Sequence, residues 1–267
     1  MLKQIIIIDE SGAKGYAKNT EEYIGDFGVM AGFLLNENDL SRMRYIIEQS
    51  FNDLSIDGKL HMASLNKEEK ELVISRVRTF MRLYEIKWTY SAIYVNGYHR
   101  FNSSSTIGPN KKDLLHSTLF EHLMTKLIIN GVKISLSQNK KSFSLTCISD
   151  HIENKTIKKF KNDMKIPLKF LRGENLITEI DDQGNEKPLD TLKNIEINIK
   201  TENSTLTFIS DVISYVTWKH LRNKINENND IKLQCKSTME NHPFFSSMAL
   251  MFNDENSFID DVFKREK

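Results

Sequence analysis

Hydrophobic positions in this chain change period from segment to segment, and each period predicts an element. The run IIIIDESG, Ile5 to Gly12, is unbroken and β-branched up to Ile8. Such a run fits a central strand buried on both faces, so Leu2–Asp9 is predicted as a strand. It stops on two acids, Asp9 and Glu10, followed by Ser11 and Gly12. Phe27–Leu35 predicts a second strand, and the alternating, aromatic Ile86–Val95 a third. Between them lie two helical patterns. One runs from the capping residues Asn36–Asp39 to Phe51. The other starts at Ser64 or Asn66, with Leu72, Val73, Arg76, Val77 and Phe80 sharing a side.

Phe101–Lys112, FNSSSTIGPNKK, carries turn residues and predicts a loop. Asp113–Ile129 predicts a helix that Asn130-Gly131 ends. Ser142–Ser149 alternates as a strand and runs into Asp150. Glu153–Met164 predicts a short Lys-rich helix, and Ile177–Leu189 a hairpin turning on DDQGN. Ile195–Lys200 is another strand and Leu206–Ile225 a long helix. Short helices are expected at Phe244–Phe252 and Ser257–Phe263.

Three early strands without long crossovers suggest an antiparallel meander, and later strands separated by helices suggest parallel additions. The expected fold is therefore α/β, a mixed sheet flanked by helices. It is read as one domain over 1–267, with a helical insertion at roughly 36–85, a hairpin insertion at roughly 172–194 and a helical tail from roughly 237.

Composition narrows the class. Hydrophobic residues are 39% and charged ones 27%, enough apolar surface for a sizeable core. Net charge is only +1, so affinity for nucleic acid requires a local patch. Cys147 and Cys235 form neither a disulfide framework nor a zinc spacing. Asp9 and Glu10 interrupt the first apolar run before a secretion signal forms. Phe27–Leu35 is too short to span a bilayer. The expectation is a cytoplasmic protein with no membrane partner.

Chemistry enters through acids at element ends. A carboxylate ending a buried strand is poorly solvated and needs a cation or a donor. Asp9 and Asp150 each end a strand. Asp211, in LTFISDVISYVTWKHL, lies off the Ile209, Val212, Ile213 and Val216 stripe and is expected in the first helical turn, where the dipole favours a carboxylate. Acids gathered at one sheet edge can hold the two hard cations that assist phosphodiester hydrolysis, Mg²⁺ or Mn²⁺. Asp9 and Glu10 alternate faces in strand geometry, so at most one is expected in a given site, and Asp9 is preferred. Glu10 joins only if the chain has turned. The plainer readings are a strand-to-loop turn at Asp9 and helix caps at Asp150 and Asp211.

Those residues resemble the family called Domain of Unknown Function 3800. The resemblance rests on Asp9-Glu10-Ser11-Gly12, Leu60-His61, Asp150, Ser204 and Ser210-Asp211-Val212-Ile213, in that order, from about Ile5 to Leu221. Ser210 stands where the family usually has Ala, and Lys59 where an acid often precedes Leu-His. The resemblance implies a ribonuclease H-like fold with converging acids, a divalent-metal-dependent nuclease acting on RNA or DNA, and a setting in antiviral defence or a mobile element. It also implies a candidate Glu from the first core helix, for which Glu121 is available.

His61 is a candidate general base, or an exposed turn residue. His116 lies on an apolar stripe, where a core role is the commoner one. His151 is a phosphate contact or a surface residue. Lys155, Lys158, Lys159, Lys161 and Lys165 follow Asp150 and offer a phosphate path, or a solvated helix face. Tyr215 and Trp218 offer base stacking or core packing. Phe244, Phe245, Met248, Met251, Phe258, Ile259 and Phe263 offer a homo-oligomer or defence-complex interface, or packing on the chain's own sheet. The rival to a nuclease is a non-catalytic subunit of the same fold that binds nucleic acid or a partner. A sugar-kinase or actin-like ATP site is disfavoured by the lack of a Gly-rich phosphate loop.

Overall fold

The computed structural model describes residues 1–13, 25–51, 53, 61–104, 115–174, 178–180, 186–188, 190–229, 231–249, 259 and 262–263. Strands β1 (Leu2–Gly12), β2 (Phe27–Asn36), β3 (Lys87–Tyr94), β4 (Ser142–Ser149) and β7 (Asn194–Thr201) form a five-stranded sheet, while β5 (Thr178–Ile180) pairs with β6 (Glu186–Pro188) apart from it. The helices are α1 (Leu40–Phe51), α2 (Lys67–Leu83), α3 (Val95–Ser104), α4 (Leu115–Ser137), α5 (Asn154–Asp163), α6 (Lys165–Leu171) and α7 (Thr205–Glu227).

The spatial order is β3-β2-β1-β4-β7. β2 is antiparallel to β1 and β3, whereas β4 is parallel to β1 and β7 to β4. This is the expected mixed sheet, and it is consistent with a ribonuclease H-like arrangement. β1 is central because it has a ladder on each side, which explains its isoleucines. Ile5 and Ile7 join one apolar cluster with α1, α2 and α7, and Ile6 and Ile8 join the other with α4 and α5. Each of the four is 2% exposed or less, and burying one such side chain contributes roughly 1.5–3 kcal/mol.

Several elements differ from the sequence reading. In α2 the buried stripe is Val73, Val77, Phe80 and Met81, and Leu72 is 45% exposed. Asn66, not Ser64, caps this helix in a reciprocal box with Glu69. Phe101 to Ser104 belong to α3, which turns directly out of β3 on buried Val95 and Tyr98; residues 105–112 of the expected loop, and the first two of the helix expected from Asp113, lie outside the described residues. α4 does not end at Asn130-Gly131 but runs on to Ser137. Gly131 is there for close approach: a Cβ at that position would lie 2.1 Å from the buried Phe143 ring. α6 was not foreseen, since it holds Pro167, but Pro is tolerated in a first turn where no intrahelical N–H bond is lost. The β5–β6 hairpin pairs as expected, and its DDQGN turn lies outside the described residues. In the tail a short 3-10 turn spans Phe245–Ser247; most of 250–267 lies outside the described residues.

Candidate metal centre

The centre forms where β1 outruns β4. The parallel ladder ends with Ile8 opposite Ser149, while pairing with β2 continues to Gly12 opposite Gly28. Asp9 and Glu10 therefore lie on a strand with one flank open, and Asp150 leaves β4 at that opening. Asp9, Glu10 and Asp150 each offer one carboxylate oxygen, and the three oxygens lie within 4.8 Å of one another. This corrects the expectation that only one of Asp9 and Glu10 reaches the site. The chain has not turned at Glu10. Alternation starts the two side chains on opposite faces, and the open flank lets both reach Asp150.

Asp9 is 9% exposed. Its carboxyl is pushed up to about 9, first by burial, then by the charges of Glu10, Asp211 and Asp150. The Glu10 N–H donates to Asp9 Oδ1 at 2.8 Å and opposes this shift.

Asp211 stands beside the three rather than among them. α7 begins at Thr205, with the Ser204 N–H donating to Thr207 Oγ1, so Asp211 falls in the second turn and caps nothing. The expected first-turn placement is corrected accordingly. Asp211 Oδ2 accepts the Met62 N–H at 2.7 Å, and His61 Nδ1 is 3.6 Å away. Burial raises the Asp211 carboxyl, with the Met62 N–H and His61 pulling the other way. Asp150 is not a helix cap either: Glu153 precedes α5 in that position.

Ser214 escaped sequence reasoning, and so did the approach of His116 to Glu10. Ser214 Oγ donates to the Asp9 carbonyl at 2.7 Å and ties α7 to β1 one turn after Asp211. Ser214 shares the buried side of α7 with Thr207, Ser210 and Thr217, and no local pattern singles it out. His116 is buried on α4, as expected for its stripe, yet its Nε2 is 3.8 Å from Glu10 Oε2.

The remaining candidates lie elsewhere. Glu121 pairs with Lys159, which also bridges to Asp163 at 2.9 Å. Burial, then a hydrogen bond with Asp163, raises the Glu121 carboxyl to about 7. Lys159 is thus engaged within the α4–α5 contact, while Lys155, Lys158 and His151 are exposed. Tyr215 and Trp218 pack partly buried against the core, with Lys70 over the first ring and Arg222 over the second. Phe244, Met248, Ile259 and Phe263 are buried in the two clusters.

The donor set suits a hard cation. Oxygen ligands lie about 2.0–2.6 Å from Mg²⁺ or Ca²⁺, so those on opposite sides of one ion are roughly 4–5 Å apart. Three carboxylates inside that span, one raised by burial and then by its neighbours' charge, form a site that a divalent ion would relieve. Among the described residues no helix is long and apolar enough to cross a membrane. Compared with models of known protein families and with curated proteins, the sequence matches none.

Proposed function

We propose that this chain is a divalent-metal-dependent nuclease of the Domain of Unknown Function 3800 family, acting on RNA or DNA. The convergence of Asp9, Glu10 and Asp150 at the end of the central strand carries this reading. The sheet order around it supports it. Asp9, Glu10 and Asp150 would hold Mg²⁺ or Mn²⁺, and Asp211, whose charge already bears on Asp9, would complete a two-ion site. Bound cations of this kind activate water and neutralise charge on a phosphodiester. Ser214 and the Met62 N–H fix the backbone of β1 and the carboxylate of Asp211. Lys155 and Lys158, exposed on the helix after Asp150, would bind the phosphate backbone. Antiviral defence or a mobile element is the setting that the family resemblance suggests.

The test is cleavage of end-labelled RNA and DNA, single- and double-stranded, with Mn²⁺ or Mg²⁺. The wild type should cut at least one substrate. Asp150→Asn should lower the rate by at least about a hundredfold, the scale of losing one preorganised electrostatic contact. Metal binding without cleavage of any substrate would favour the non-catalytic subunit instead.

A further inference from the structure

The two edges of the main sheet are finished differently. On the β3 side the chain's own tail covers the edge: the Ala249 N–H donates to Trp88 O at 2.7 Å, and Met248 bridges to Trp88. On the other side β7 is the last strand. The Glu202 N–H donates to Ser149 O at 2.8 Å, so the even-numbered peptide groups of β7 face β4. The odd-numbered ones face outward, and Arg172 Nη2 reaches Ile195 O from that side at 2.7 Å. Among the described residues, the outward groups of Ile197 and Ile199 have no hydrogen-bond partner. An open strand edge of this kind is a template for another strand.

The side chains of β7 read as their own complement. Glu196, Asn198 and Lys200 are exposed, and Ile197 and Ile199 are partly buried on the opposite face. We propose that β7 pairs antiparallel with β7 of a second copy, about a two-fold axis through Asn198. Ile197 then faces Ile199 of the second copy, and their outward peptide groups exchange both hydrogen bonds. Glu196 faces Lys200 of the second copy in the closer, non-hydrogen-bonded pairing, and symmetry repeats that ion pair on the far side of the axis.

Charge selects this register. Moving the axis by one residue toward the strand's start sets Glu196 and Lys200 against asparagines. Moving it by one the other way sets Glu196 against Glu202. Moving it by two sets Glu196 against itself or Lys200 against itself. Like charges directly opposite destabilise a pairing, so only the Asn198 axis gives two attractive pairs. Within one chain Glu196 accepts a bond from Asn194 Nδ2 at 2.7 Å, and its charge also bears on Lys3. The dimer seam runs along the outer edge of β7, with β4 between it and β1, and it includes none of Asp9, Glu10 and Asp150.

Sedimentation equilibrium of the full chain tests the proposal. The wild type should sediment as a dimer. Glu196→Lys sets lysines opposite each other, and Lys200→Glu sets glutamates opposite each other. Each variant alone should dimerise at least about tenfold more weakly. An equimolar mixture of the two restores both attractive pairs and should recover the dimer. Both positions are exposed, and unchanged melting curves would confirm intact folds. A wild type that stays monomeric, single variants that dimerise like it, or a mixture no stronger than its components would each overturn the proposal.

Discussion

Asp9 carries a heavy electrostatic load. Its folded carboxyl keeps a proton until about pH 9, whereas the unfolded side chain releases it near the ordinary value of 3.8. Between those values the folded state binds the extra proton, so this group's contribution to stability falls as pH rises. Divalent-ion binding must displace that proton. Mn²⁺ affinity should therefore strengthen from pH 6 to pH 9, with proton release visible as a dependence of binding heat on the buffer. Asp9→Asn should abolish that release and flatten the metal-free stability slope. A wild-type affinity independent of pH would show that Asp9 is already ionised. Asp9 was legible as a site residue because an apolar strand ended on it. Glu10 was not, because its reach depends on where β4 stops, and no local pattern records that.

At the scale of elements, packing overrode local signals. Asn130-Gly131 has the chemistry of a helix end, and yet α4 continues because Gly131 lets the helix lie on the Phe143 ring. Gly131→Ala is favoured by roughly 1 kcal/mol of helix propensity. The added Cβ collides with a ring that is fully buried, and overpacking of this kind costs about 1–3 kcal/mol. The variant should be less stable by urea denaturation, and a more stable one would mean that Phe143 moves aside freely. Leu72 makes the same point in reverse: the period of α2 was clear, but which side of the stripe met α7 was set by tertiary contact.

On the scale of the whole molecule, the sheet was legible because strand length, alternation and connection length all point the same way. β1 reads as central from its isoleucines alone. The tail's role as a cover for β3 was less legible, since its residues serve equally well as an interface. His242 marks how the tail is held: it stacks on Trp88 at 4.8 Å, and its Nδ1 accepts the Phe244 N–H at 3.1 Å. Burial, then the neighbouring His220, holds its imidazole well below the ordinary value of 6.5. The unfolded chain therefore takes up the proton first, and this contribution to stability is present above pH 6.5 and lost as pH falls. Its sign opposes that of Asp9. Comparing urea midpoints at pH 7.5 and 5, His242→Gln should lose less stability on acidification than the wild type. An equal loss would place the acid sensitivity elsewhere.

The central claim is that β1 and β4 together build a cation site from Asp9, Glu10 and Asp150. Calorimetric titration of Mn²⁺ into the wild type, Asp9→Asn and Glu10→Gln tests it most directly. The account predicts saturable binding to the wild type, and binding weakened at least about tenfold in each variant, the scale of one lost ligand or its immediate support. No binding to the wild type would contradict it, as would a Glu10→Gln variant that binds like the wild type.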